Sequence, residues 1–172
     1  MATVVPFSSH TDDDGILHVV DGDGAAWFAI DVVDGHAASF GVYAGAASRA
    51  MFDAAIPLST NAIRRGPPAP GQARPPARPL TFFCDALYVR RYDSAFREQW
   101  VRWFLQHRAH VDRMHFAIPR QGLLRMGLQV VGLAVPNFVT AHDDDAGLDA
   151  VLGPHLPAFL RLRARRDAWL AR

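Results

Sequence analysis

Several groups of side chains in this chain have types and spacings that chemistry can use. Asp93 and Ser94 stand where a strongly amphipathic pattern begins, and either side chain can accept a backbone N–H at a helix start. A phosphate added to Ser94 would be tolerated by the helix dipole while changing the face shown to a partner. Cys84 and Asp85, joined by a histidine brought in by the fold, would make a nucleophile site. Cys84, however, lies in an apolar run where cysteine serves packing, and neither a glycine elbow nor a paired His–Asp motif accompanies it. His142-Asp143-Asp144-Asp145 and the Thr11–Asp14 stretch carry metal-compatible groups. Neither has convergent ligand spacing, so helix-start acids explain the first and an exposed tail the second, and no metal or other cofactor is expected. His107, His110 and His115 are close in sequence but fall on a helix end and a strand, which turn their side chains in different directions.

Two further patterns have plainer readings. Gly122, Gly127 and Gly132 recur inside a helical pattern rather than between a strand and a helix start, so they are not a phosphate loop. They suit a helix lying close to a sheet, and its apolar surround makes a second copy of the chain a candidate partner. Arg161, Arg163, Arg165, Arg166 and Arg172, with Trp169, could meet nucleic acid, but a solvated helix docking through Leu160 and Trp169 is the expectation.

Elements to position these residues are legible from the pattern. Ile16–Val20 and Ala26–Val33 are β-rich runs around Asp21-Gly22-Asp23-Gly24, a hairpin signal, and Asp34-Gly35 turns the chain into a third strand at Ala38–Tyr43. Ala46–Ala55 has helical composition and meets a break or kink at Pro57, after which Leu58–Arg64 can resume the helix. Gly66–Pro79 holds six prolines and no large apolar residue, which predicts an extended inserted loop. Leu80–Cys84 is a strand, followed by a loop and a helix from Ser94 to about His110. Along that helix Phe96, Trp100, Trp103, Phe104 and His107 form one wide apolar stripe. Met114–Ile118 alternates as a strand, and Gln121–Val135 is a helix with the narrow polar stripe Gln121, Arg125, Gln129. Phe138–Ala141 is a strand, Asp143–Leu152 a helix opened by acids, and Ala158–Leu170 a last arginine-rich helix. Repeated β–α units with short links imply parallel strands joined by right-handed crossovers.

Bulk properties agree with one domain. At 172 residues with half of them hydrophobic, the chain can bury a core without disulfides, and its single cysteine fits a reducing compartment. No basic stretch precedes an apolar run at the start, and the longest apolar run, Leu123–Val135, is too short to span a bilayer. A cytoplasmic protein without a membrane partner is expected. Every basic residue is arginine, the composition of a GC-rich, bacterial genome. Residues 1–63 hold eight acids and one base, and residues 64–125 twelve arginines and four acids, so an acidic front and a basic middle could attract each other.

A hairpin followed by β–α–β–α–β–α resembles the STAS family, the domains of anti-sigma-factor antagonists and sulphate-transporter tails, with their STAS/SEC14-type relatives. The specific register is an acid at the end of a strand, Asp85, and eight positions later Asp93-Ser94 opening a helix. Ala95 and Phe96 replace the second hydroxyl residue and the glycine of the family's motif. The resemblance covers about Leu80 to Leu152. It implies an α/β fold with a STAS-like mixed sheet: an N-terminal antiparallel hairpin, a β-α-β-α-β-α second half, and helices packed on the sheet. The expected domain is 1–172, with 1–14 a mobile start, 66–79 an inserted loop and 158–172 an extra helix. It further implies a non-enzymatic regulatory or protein-interaction module, binding another protein such as a kinase or anti-sigma-type regulator. Ser94 would be the phosphorylated residue, and Asp93, Ser94 and Arg97 the partner-binding face. The alternative is a small apolar-ligand-binding domain, which a deep apolar pocket would favour. Nucleic acid is not an expected partner.

Overall fold

The structure, a computed structural model, describes residues 8–20, 24–34, 36–64, 80–120, 125, 126, 129 and 137–172. Seven strands form one sheet in chain order: β1 (Ser8–Thr11), β2 (Leu17–Val20), β3 (Ala26–Asp34), β4 (His36–Ala47), β5 (Leu80–Tyr92), β6 (Val111–Ala117) and β7 (Val139–His142). The first four pair antiparallel, and β4 through β7 pair parallel. This is the mixed sheet expected from the sequence. The helices are α1 (Arg49–Arg64), α2 (Ser94–His107), α3 (Asp145–Leu152) and α4 (Leu156–Leu170). Among the described residues no helix is long and apolar enough to cross a membrane.

Strand alternation divides the core into two layers. Trp27, Tyr43, Phe82, Cys84 and Met114 point to one face, where α1 and α2 cover them with Met51, Phe52, Phe96, Trp103 and Phe104. Phe28, Phe40, Val42, Phe83 and Ala117 point to the other, where Leu148 and Leu152 of α3 and Phe159 and Leu162 of α4 pack. Toward the end of β4 the pairing with β5 shifts register at Gly45. Gly45 has φ +80°, and a Cβ there would stand 1.7 Å from the Gly24 carbonyl oxygen, so only glycine fits this close passage.

Several details differ from the sequence expectations. The strand opening at Leu80 does not end at Cys84 in a loop but continues to Tyr92, so Asp85 sits mid-strand. Ser8–Thr11, inside the stretch read as a mobile start, pairs with β2 from Ser8↔Val20 to Thr11↔Leu17. The turn after it is built on Asp12, whose Oδ1 accepts from the backbone N–H groups of Asp14 and Ile16 at 3.0 and 2.9 Å. As the alternative reading of Leu58–Arg64 allowed, α1 runs on through Pro57 to Arg64, and both Pro57 and Asp53 are exposed. Finally, α4 docks through Phe159, Leu162, Arg163 and Arg166 with Trp169 packed beside them as expected, whereas Leu160 is 48% exposed. Among the described residues, Asp12 and Asp14 of the acidic front pair with Arg165 of this last helix. Residues 1–7, the proline-rich 66–79 and most of 121–135 lie outside the described residues; Arg125, Met126 and Gln129 are helical.

Candidate functional site

The α1/α2 face of the sheet is not filled. An apolar cavity of about 90 Å³ lies between β4–β7 and α2, walled by Tyr43, Phe82, Cys84, Ala86, Phe96, Trp100, Phe104 and Met114 among others. A water needs roughly 10–15 Å³ of such space, so the chamber has room for several water-sized groups. Its roof is the apolar stripe of α2. Trp100 stacks on Phe104 at 5.1 Å between ring centroids and meets Phe52 of α1 edge-on at 5.2 Å. Trp103 meets Phe82 of the sheet edge-on at 5.7 Å. These contacts fix large, rigid rings around the space.

One polar group in this layer stands out. Trp27, on β3, is 3% exposed and lines the chamber, yet its indole Nε1 has no hydrogen-bond partner. The indole edge occupies the space above Gly41 of β4: a Cβ on Gly41 would lie 2.8 Å from Nε1. The missing side chain at Gly41 therefore leaves room for the indole edge, whose Nε1 is closed off from solvent-sized probes.

Asp93, Ser94 and Arg97 occupy the first turn of α2 and divide their tasks. Asp93 caps two helices at once: Oδ1 accepts from Phe96 N–H at 2.6 Å in α2, and Oδ2 accepts from Arg49 N–H at 3.1 Å at the start of α1. Its carboxylate thus ties both helices of the chamber face to the end of β5. Ser94 is exposed. Arg97 is half-buried, forms part of the chamber wall and makes no ion pair among the described residues.

Cys84 and Asp85 do not form a joint nucleophile site, because neighbouring strand residues point to opposite faces. Cys84 lines the chamber, and burial, then the Asp85 charge, pushes its thiol well above the usual range. Asp85 is fully buried on the α4 side. Its Oδ1 accepts from Leu87 N–H at 3.0 Å, and its Oδ2 accepts from Arg163 Nε at 3.0 Å and from Arg166 Nη1. Arg163 also pairs with Asp149 at 2.6 Å and Asp145 at 2.9 Å, while the Arg166 guanidinium lies over the Tyr88 ring at 4.2 Å. Burial first, then the Asp85 charge, raises the Asp145 carboxyl above its ordinary value. This network fastens α3 and α4 to β5. The sequence did carry a signal for it: Phe159, Leu162, Arg163 and Arg166 fall at i, i+3, i+4 and i+7, a core-facing stripe whose last two members are arginines. Arginines at core positions require a buried acid.

Several other acids and histidines also have structural partners. Asp143 binds Arg120 and Arg125, and Asp144 caps α3 through Gly147 N–H at 2.8 Å. Asp12 accepts from His18 and Arg165 at 2.9 Å each. His107 Nδ1 lies 2.8 Å from the Trp103 carbonyl oxygen. His115 and His142, on β6 and β7, face each other with Nδ1 and Nε2 3.2 Å apart, and His115 stacks on Phe83. Burial lowers both imidazoles below their ordinary value. Among the described residues no three His, Cys, Asp or Glu side chains gather as a metal-binding group.

Fold and site together define an α/β domain with an aromatic-walled apolar chamber on one face of a mixed sheet and a buried carboxylate–arginine network on the other. No family model matches the sequence, and no curated protein matches it. Among solved structures the chain is similar to an uncharacterized protein of the DUF3478 family with a SpoIIAA-like fold from Shewanella loihica PV-4. That likeness has 12% sequence identity and a TM-score of 0.48, covering 88% of this chain and 98% of the other.

Proposed function

We propose that this protein binds a small apolar molecule in the chamber beneath α2, without transforming it. The observation that carries this reading is the cavity itself: about 90 Å³ of space with almost wholly apolar walls beneath the aromatic stripe of α2. Interiors normally pack to crystal-like density, so a space of this size in an aromatic layer leaves contacts unmade that a ligand would complete. The neutral, environment-sensitive dye N-phenyl-1-naphthylamine tests this. Wild type should bind it saturably with enhanced emission, and Ala86→Phe, which fills the chamber from β5, should lose that binding while still unfolding cooperatively. Emission that rises without saturation, or equal binding by Ala86→Phe, contradicts the reading.

A second reading is a STAS-type regulatory or partner-switching module in the bacterial cytoplasm, contacting another protein through Asp93, Ser94 and Arg97. It draws support from the exposure of Ser94 on the first turn of α2, where added phosphate would change the surface without breaking the helix. Asp93 contributes less than the sequence suggests, because capping already engages both its oxygens. Pull-downs with Ser94→Asp and Ser94→Ala from the source cells should recover different partners; identical recoveries from both variants and wild type would end this reading.

A further inference from the structure

Resting on the ligand reading above, we infer that the ligand is a medium-chain aliphatic carboxylate, its apolar body in the chamber and its charged end on Arg97. Arg97 lines the chamber, and among the described residues it is the one charged side chain in the wall. It is half-buried, yet among those residues it makes no ion pair. The other described arginines that are buried or half-buried behave differently: Arg125, Arg163, Arg165 and Arg166 each pair with at least one carboxylate. The natural partner of Arg97 on its own helix is Asp93, four residues earlier. Asp93 instead gives one oxygen to the Phe96 N–H and the other to the Arg49 N–H. A cation is thus left beside an apolar space with no described acid to answer it.

A half-buried arginine lays its stem along apolar surface and keeps its guanidinium near water. A ligand's charged end meets it there without full desolvation, whereas a carboxylate carried deep into the aromatic layer would be far costlier. The planar guanidinium offers paired N–H donors that match two carboxylate oxygens. One guanidinium balances one negative charge, which favours a carboxylate over a doubly charged phosphate. Size follows from the space. A water-sized group needs roughly 10–15 Å³ of it, so a cavity of about 90 Å³ accepts about six to nine such groups. A methylene is close to that size, and the tail of octanoate falls within the range.

The test titrates octanoate and its neutral isostere octanamide into wild type and Arg97→Gln near neutral pH, following displacement of N-phenyl-1-naphthylamine. Comparing variants for each probe cancels the probes' different affinities for water. Arg97→Gln should weaken octanoate binding roughly five- to tenfold, the worth of one charge-assisted pair partly open to solvent, and leave octanamide within about twofold. In wild type the Arg97 Nε–H resonance should shift with octanoate and not with octanamide, a readout that survives even if Arg97→Gln fails to fold. Three results overturn the carboxylate inference and leave the ligand reading standing: Arg97→Gln weakens both probes alike or neither, the Arg97 resonance responds alike to both, or octanoate fails to displace a saturably bound dye. If the dye itself does not bind wild type saturably, the ligand reading fails and this inference with it.

Discussion

The two faces of the sheet solve opposite problems. On the α3/α4 side, Phe28, Phe40, Leu148, Leu152, Phe159 and Leu162 pack as one buried cluster, and a fully buried carboxylate is clamped by two buried arginines. On the α1/α2 side the side chains are larger and more aromatic, yet they leave a cavity and one unpartnered donor. The ionic face holds the architecture, and the aromatic face keeps room for something else. A buried ion pair gives directional specificity but little net stability over an apolar equivalent, so its value lies in fixing α4 in one place. An aromatic layer around a void gives up packing energy, which a ligand can restore.

The largest expected effect breaks the ionic face. Asp85→Ala leaves Arg163 and Arg166 buried without their shared acceptor and should cost about 3–5 kcal/mol in urea unfolding. A loss below about 1 kcal/mol would mean the clamp is not a structural device. The next prediction compares the faces with one substitution. Ala117→Phe, at a fully buried position in the α3/α4 layer on β6, should cost about 1–3 kcal/mol or more through overpacking. Ala86→Phe, into the chamber, should cost clearly less, because the ring finds existing space. Equal costs would remove the contrast between the faces.

Asp93→Ala loosens the chamber roof from one end. Losing a cap shared by α1 and α2 should cost about 1–2 kcal/mol and increase amide exchange in the first turns of both helices. Exchange confined to α2 would show that the Arg49 contact is dispensable. The smallest effect concerns His115 and His142 at the β6–β7 edge. Both are lowered in the fold, so below the unfolded value of about 6.5 the unfolded chain binds more protons than the native one. Stability should therefore be level above that pH and fall as pH drops through the folded values. His142→Gln should flatten this slope, and an unchanged slope would assign it to other groups.

How much of this was legible in the sequence follows from range. The hairpin, the β–α units and the α2 stripe are local patterns, and turn residues and periodicity reveal them. The length of β5 was hidden because Asp85, Arg90 and Arg91 look like loop residues until their environment is known. Asp85 was read as the acid at the end of a strand, although its partners lie 78 and 81 positions away. The arginine stripe of α4 could have exposed the ion cluster, but not its partner. The aromatic residues of the chamber were recognisable as core. The void was not, since it depends on ring orientation and on the space left at Gly41. Ser94 was correctly placed at a helix start, which fixes its geometry and says little of its use.

The claim that the aromatic face is the binding face is tested most directly by mapping side-chain and indole resonances of the wild-type protein during titration with N-phenyl-1-naphthylamine. Saturable shifts at Trp27, Phe82, Met114 and Trp100, with Leu148, Phe159 and Leu162 unmoved, are the predicted result. Shifts centred on α3 and α4, or none that saturate, would contradict it.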